Sequence, residues 1–329
     1  MIIVRSPLRI SYFGGGTDLP SWYENNSQGG AVIASAINKY SYINIRYLDK
    51  FYDHKFRIRY FKNEEQNKIK KIEHPIIKSV LEKYHTNKLG LEIIHNADLP
   101  ARSGLGSSSA FTNSLLKSLY LLKNKKISNN HLWKQSLEIE RKVDGNGVGS
   151  QDQITTALGG TNFITFKKKK ITIKKLTKLK NINHFKNHCS LFFLGFARNA
   201  KSIEKDKVNK MNKKKKIYDQ LFNLCIEANN LFQAKKDLNV KYIGELLREQ
   251  WNLKKNLSTK VTNPKIDKFY EIGINSGAIG GKILGAGGGG FFLFLSKNQR
   301  EKKRLIDKIK KIKLVNFDFD EEGTKVIYG

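Results

Sequence analysis

The run Pro100-Ala101-Arg102-Ser103-Gly104-Leu105-Gly106-Ser107-Ser108-Ser109-Ala110 carries the densest chemistry in this chain. A short alternating stretch, Leu91-Glu92-Ile93-Ile94, precedes it. Phe111, Leu115, Leu119 and Leu122 follow at helical spacing. Strand, glycine–serine turn and helix together make an anion cradle. Gly104 and Gly106 let the backbone approach a ligand with no Cβ in the way. The serines and the N–H groups of the first helical turn then point at negative charge, and the helix dipole adds to the attraction. A triphosphate is the guest that such a cradle predicts. The same letters also spell an ordinary serine-capped helix start, which needs no ligand.

Two more segments suit close ligand approach. Near the amino end stands Arg5-Ser6-Pro7-Leu8-Arg9-Ile10-Ser11-Tyr12-Phe13-Gly14-Gly15-Gly16-Thr17-Asp18-Leu19-Pro20. Near the carboxyl end, Gly281-Lys282-Ile283-Leu284-Gly285-Ala286-Gly287-Gly288-Gly289-Gly290 leads into Phe291-Phe292. In order and separation the three segments resemble the signature of the GHMP small-molecule kinases. Its motifs read P-x-R-[IV], P-x-x-x-G-L-G-S-S-[AS], and a glycine-rich turn before a strand. The resemblance covers nearly the whole chain. The opening R-x-P-L-R-I-S-x-x-G-G-G-T-D-x-P is similar to the branch that phosphorylates heptose 7-phosphate at its anomeric carbon. Kinases for fucose-like sugars share parts of it.

That resemblance implies an α+β, two-domain GHMP kinase fold. Residues 1–185 would form a ribosomal protein S5 domain 2-like half, residues 186–329 a ferredoxin-like half, and the active site would lie between them. It also implies ATP and Mg2+, and an anomeric kinase for D-glycero-D-manno-heptose 7-phosphate. The product would be the 1,7-bisphosphate, on a route to nucleotide-activated heptose for surface polysaccharide. A kinase for an unphosphorylated sugar such as fucose is the alternative enzyme. An ATP- or nucleic-acid-binding module without turnover is the alternative class.

Phosphoryl transfer to an alcohol needs a phosphate cradle, a magnesium ion, a cation near the transferred group and a base. By resemblance the cradle comprises Pro100, Ser103, Gly104, Leu105, Gly106, Ser107, Ser108 and Ser109. Magnesium keeps several waters, so one hydroxyl and one carboxylate suffice from the protein. The resemblance assigns these to Ser108 and Glu140, with Asp144 the competing carboxylate. Asp152, between Gln151 and Gln153, would take the proton of the acceptor hydroxyl; alone, it reads equally as a helix N-cap. The guanidinium of Arg9 suits a γ-phosphate oxygen or the base carboxylate. Gly15, Gly16, Thr17 and Asp18 would hold the sugar. Arg198, in Gly195-Phe196-Ala197-Arg198-Asn199-Ala200, would take the sugar's own phosphate in bidentate fashion, with Lys201 and Arg102 behind it. Gly285, Gly287, Gly288 and Gly289 would brace the cradle from the second domain. Residues 285–290 also fit G-x-G-x-x-G. A dinucleotide fingerprint must follow a strand and open a helix, whereas these glycines precede an apolar strand.

Positioning falls to the surrounding elements. Alternation predicts strands over 2–4, 31–37, 42–47 and 56–60. Helical spacing predicts 74–88, a helix from Ser107 to about residue 123, and 128–143 capped by Ser128 or Asn129. A flexible loop follows over 145–149, then a helix over 152–158 stopped by Gly159-Gly160. Residues 162–166 and 171–176 read as a hairpin. After a composition shift over 180–188, the apolar run 189–196 suits a buried strand. Helical patterns dominate to about residue 258. A strand over 291–295, a basic helix over 300–313 and a strand over 313–319 close the chain.

The 329 residues carry 61 Lys and Arg against 29 Asp and Glu, a formal charge of +32. That balance attracts polyanions at low salt. The lysines are nevertheless spread through the chain, and the helix at 300–313 has Leu305, Ile306, Ile309 and Ile312 on one face, leaving its lysines to solvent. No motif with base-readout chemistry accompanies the charge, so no specific nucleic-acid partner is expected. No stretch is long and apolar enough to span a bilayer, and the amino end has no signal-peptide pattern. Cys189 and Cys225 are isolated, which predicts two structural thiols in a cytoplasmic protein. The expected partners are ATP and a small-molecule sugar phosphate; oligomeric state stays open.

Overall fold

A computed structural model describes residues 1–86, 89–101, 103–195 and 200–329. The amino-terminal alternation runs further than the short strands it predicts. β1 spans Ile2–Phe13, α1 Pro20–Tyr23 and β2 Gly30–Leu48. The strands expected at 31–37 and 42–47 are therefore one strand. Asn38 and Lys39 break its apolar pattern where the β1–β2 register shifts, between Pro7 and Leu8. A bulge absorbs the polar residues and bends the strand without ending it.

β3 Phe56–Arg59, β4 Asn63–Gln66, α2 Pro75–Tyr84 and β5 Gly90–Ala97 follow. Next come α3 Ser107–Leu122, α4 Asn129–Asp144, α5 Gln151–Leu158, β6 Thr161–Lys167 and β7 Lys170–Lys175. Ser128 caps α4, its side chain accepting from the His131 N–H. The 180–188 segment is a helix, α6 Lys180–His188, followed by β8 Cys189–Phe193. The chain continues through α7 Ala200–Lys210, α8 Lys215–Gln233, α9 Val240–Lys255 and α10 Pro264–Asn275. It closes with β9 Ala278–Ile283, β10 Phe291–Ser296, α11 Gln299–Lys308, β11 Lys313–Val315 and β12 Lys325–Tyr328.

Among the described residues the strands form two sheets. The first runs β12-β1-β2-β5-β3-β4, with β6 also on β2 and β7 on β6. The second runs β11-β8-β10-β9, antiparallel throughout. We propose residues 1–185 and 186–329 as the two folding units, a boundary that falls inside α6. β12 is the exception, since it returns to pair with β1. The strand expected over 313–319 stops at Val315; only an isolated bridge from Phe319 to Ile37 continues it. Leu8, Ile10 and Phe13 of β1 share a fully buried cluster with Leu191 and Leu293 of the second sheet. That shared core holds the two sheets at a fixed separation.

Candidate active site

A cleft of about 780 Å³ opens between the sheets. Its walls come from β1 and the turn after it, the β3–β4 turn, the start of α2, β5, the Gly104–Gly106 turn, α3, α4, the loop before α5, α5, α7, α9, β9 and the turn at Gly285.

Gly106 is the N-cap of α3, in the left-handed region at φ 72°, and Gly104 has φ 88°. A glycine cap has no side chain to close the first-turn amides, so the serine-capped start does not form. Ser107, Ser108 and Ser109 all line the cleft. Three expected cradle residues do not. Leu105 is fully buried in the core shared by the sheets, and its carbonyl accepts from the Arg9 N–H at 2.9 Å. The Ser103 hydroxyl donates to the Pro100 carbonyl at 2.6 Å. These residues shape the turn from behind.

Arg9 and Asp152 meet face to face. Arg9 Nε donates to Oδ1 at 2.7 Å and Nη2 to Oδ2 at 2.6 Å. Nη1 donates to the Gly104 carbonyl at 2.6 Å. Asp152 is not the cap of α5; Ser150 occupies that position. Of the two partners open to Arg9 from sequence, the guanidinium sits on the carboxylate. A Cβ placed on Gly106 would stand 3.5 Å from Asp152 Oδ2, so the pair lies at the mouth of the cradle.

Asp18 lines the cleft beside Gly15 and Gly16. Its carboxylate accepts from the Gly16 N–H at 3.1 Å and the Gln151 N–H at 3.3 Å. Burial, then the charge of Asp152, raises it from 3.8 to about 6. Thr17 departs from expectation. Its hydroxyl is fully buried, shares its one proton between the Gly14 and Ala31 carbonyls, both at 2.8 Å, and accepts from the Ala31 N–H at 3.0 Å. It holds the turn that presents Asp18 and does not reach the cleft.

Glu140 projects from α4 to the cradle helix. It accepts from Ser109 Oγ at 3.1 Å and Gln153 Nε2 at 2.9 Å. Burial raises it from 4.5 to about 7, against the Gln153 hydrogen bond. Among the described residues no cation lies within salt-bridge distance of it. Asp144, the competing carboxylate, is exposed at the end of α4 and also lines the cleft. No cluster of three or more His, Cys, Asp or Glu suited to a metal occurs among the described residues. One buried carboxylate with hydroxyls beside a phosphate cradle fits magnesium, which takes its other ligands from phosphate and water.

The second glycine segment packs on the first. A Cβ on Gly285 would fall 2.4 Å from Gly104 Cα, and one on Gly290 2.1 Å from the Ser103 carbonyl oxygen. Gly287 and Gly288 pack on Val261, whose carbonyl accepts from the Gly288 N–H at 2.7 Å. Of this segment, Gly285 and Ala286 reach the cleft, while Gly287, Gly288 and Gly289 do not.

Arg198 and Arg102 lie outside the described residues, and so does the side chain of Lys201. Two groups in the cleft went unread in the sequence. Tyr60, His74, His95 and Phe111 form a ring cluster at one end, with centroids 4.9–5.0 Å apart. Lys207, Lys254 and Lys282 line the other side. A lysine between Gly280-Gly281 and Ile283-Leu284 is out of place in an apolar strand, and that was the available signal.

The family model for the GHMP kinases N terminal domain matches residues 67–160, and that for the GHMP kinases C terminal matches residues 233–314. A D-glycero-alpha-D-manno-heptose 7-phosphate kinase of Campylobacter jejuni is 27% identical, over 98% of each chain. A mevalonate kinase of Methanocaldococcus jannaschii is 27% identical over 66% of this chain and 65% of its own. A crystal structure of a D-glycero-D-manno-heptose 1-phosphate kinase from Bacteroides thetaiotaomicron has the same fold, with a TM-score of 0.78. It is 20% identical and covers 100% of both chains. The match to a two-domain GHMP kinase structure runs end to end. With amino- and carboxyl-terminal family regions present in order on that fold, the chain belongs to the GHMP kinases and is an ATP-dependent phosphotransferase.

Proposed function

We propose that this sugar kinase of the GHMP family phosphorylates the anomeric hydroxyl of D-glycero-D-manno-heptose 7-phosphate. The acceptor oxygen attacks the γ-phosphorus of ATP, the bond to the β–γ bridging oxygen breaks, and ADP leaves. Asp152 takes the hydroxyl proton as charge builds on the attacking oxygen. The product is the 1,7-bisphosphate. The carrying observation is the Arg9–Asp152 pair held at the mouth of the cradle, beside buried Asp18. Likeness to the Campylobacter heptose 7-phosphate kinase across both full chains supports the substrate class.

Arg9 aims Asp152 through its two hydrogen bonds, and Asp18 takes a sugar diol. The first-turn amides of α3 bind the phosphates. Ser108 and Glu140 would hold the magnesium. Bound there, the ion neutralises charge on the phosphate oxygens. The ring cluster of Tyr60, His74, His95 and Phe111 suits a purine, with apolar faces for stacking. Burial holds His95 down at about 4, so its ring stays neutral at that end. Two buried free thiols suit the reducing cytoplasm, where ATP is available. No helix among the described residues is long and apolar enough to cross a membrane.

ADP release across a panel of heptose 7-phosphate, free heptose, L-fucose and mevalonate tests the assignment. Turnover should favour the sugar phosphate. Asp152→Asn should lower kcat by roughly 10²–10⁴ with ATP binding kept. Preference for free fucose would replace the substrate, and near wild-type turnover in folded Asp152→Asn would remove the base.

A further inference from the structure

Arg9 spends three of its nitrogens on Asp152 and Gly104, so the anions in the cleft need other cations. Lys207, Lys254 and Lys282 line the same cleft, all from the second folding unit. They are only 4%, 7% and 2% exposed. Lys207 pairs with Glu204 at 3.0 Å. The other two differ. Lys254 Nζ donates to the Ile283 carbonyl at 2.8 Å and the Gly285 carbonyl at 2.7 Å. Lys282 Nζ donates to the Ser11 carbonyl at 3.0 Å and the Tyr12 carbonyl at 2.7 Å.

An ammonium has three protons. Among the described residues each of these two places two on neutral carbonyls and has no carboxylate within 4 Å. Tethering alone does not call for charge. Gln250, a neutral amide, already donates to the Tyr12 carbonyl at 2.7 Å and accepts from the Gly14 N–H at 3.0 Å. Burying an ammonium without a counter-charge is costly, and an arriving anion offsets that cost. Burial and neighbouring cations push Lys282 down to about 7 and Lys254 well below the usual lysine range; Glu204, itself paired with Lys207, acts the other way on Lys254 without making contact. Placement gives them reach. Lys254 is tied to Gly285, which abuts Gly104 of the cradle. Lys282 is tied to Ser11, whose hydroxyl would stand 3.5 Å from a Cβ on Gly15, on the sugar side.

We infer that Lys254 and Lys282 form a phosphoryl-anion subsite on the second-unit wall of the cleft, the two carbonyl pairs fixing each ammonium and the remaining proton meeting the ligand. The ligand class is a phosphate group, either the monoester carried by the acceptor or the group in transfer; the first source rests on the function proposed above.

The test uses the full chain with Lys254→Gln and Lys282→Gln, which keep donors and remove charge, and with Lys254→Met and Lys282→Met. Inorganic phosphate, with ADP present, should raise the wild-type melting temperature and lose that effect in the variants. Kinetics separate the sources. For an acceptor monoester, KM for heptose 7-phosphate rises roughly 10–100-fold while KM for free heptose holds. For the group in transfer, kcat falls on both acceptors while both KM values hold. Either pattern sustains the subsite. Unchanged phosphate response, with kcat and both KM values within twofold, overturns it and leaves two structural tethers. Where one substitution prevents folding, the other at that position gives the reading. Wild-type indifference to the sugar's phosphate would sink the heptose-phosphate reading alone, because the inorganic phosphate response still judges the lysines.

Discussion

Asp152 is one carboxylate among several on the cleft wall, and its neighbours set its task. Arg9 grips both its oxygens, whereas Asp18 and Glu140 meet only neutral donors, and burial raises both. The same physics gives a pH prediction at His95. This ring is half-buried against Phe111 and bonded to Ser41 Oγ at 3.0 Å. Burial lowers it from 6.5 to about 4. In the unfolded chain it takes a proton near 6.5, so the unfolded state binds more protons between about 4 and 6.5. Its contribution to stability is therefore complete above 6.5 and lost as pH falls towards 4. Asp18 and Glu140 tilt the other way, so the quantity to read is the difference between wild type and His95→Gln. Urea midpoints at pH 7.5 and 4.5 should show that difference shifting in favour of the variant at the lower pH. A difference independent of pH would mean that His95 is not held neutral by burial.

At the scale of elements, the decisive contact is between two turns. Gly285 has φ 64°, and its Cα side faces Gly104 with no room for a methyl group. Gly285→Ala should force the second-unit turn off the cradle. Overpacking of this kind costs about 1–3 kcal/mol. Equilibrium unfolding should report that loss together with a raised KM for ATP. Gly147→Ala is the control for stability, since a Cβ there meets nothing within 4 Å. Equal behaviour of the two variants would remove the bracing role. Elements with strong local signals were legible from their letters: α3, α4 and the stop of α5 at Gly159, and the β6–β7 hairpin. Others were not. The bulge that makes β2 one strand depends on its pairing with β1, and β12 is defined only by the partner it returns to.

Across the whole molecule the charge of +32 is mostly solvated surface. The lysines at 167–170 are exposed around the β6–β7 turn, and α11 buries Leu305 while Arg300, Lys303, Arg304 and Lys308 face out and Lys302 lies half-buried. Binding to an unrelated DNA duplex should be weak and lost between about 50 and 200 mM salt. Fluorescence anisotropy across that range would measure it, and a sequence-selective complex surviving at the upper value would contradict the surface reading. Local letters sufficed for the cradle, the base candidate and the kinase resemblance, because glycine spacing and helix starts are properties of neighbouring residues. They also marked Arg9 without choosing its partner. Folding made that choice, placing residue 9 against residue 152. It also moved Thr17 behind the cleft and brought Lys254 and Lys282 into it. Lys282 gives its protons to carbonyls about 270 residues away, and Lys254 to carbonyls about 30 residues on, beyond the next helix, so no local window of sequence contains that information.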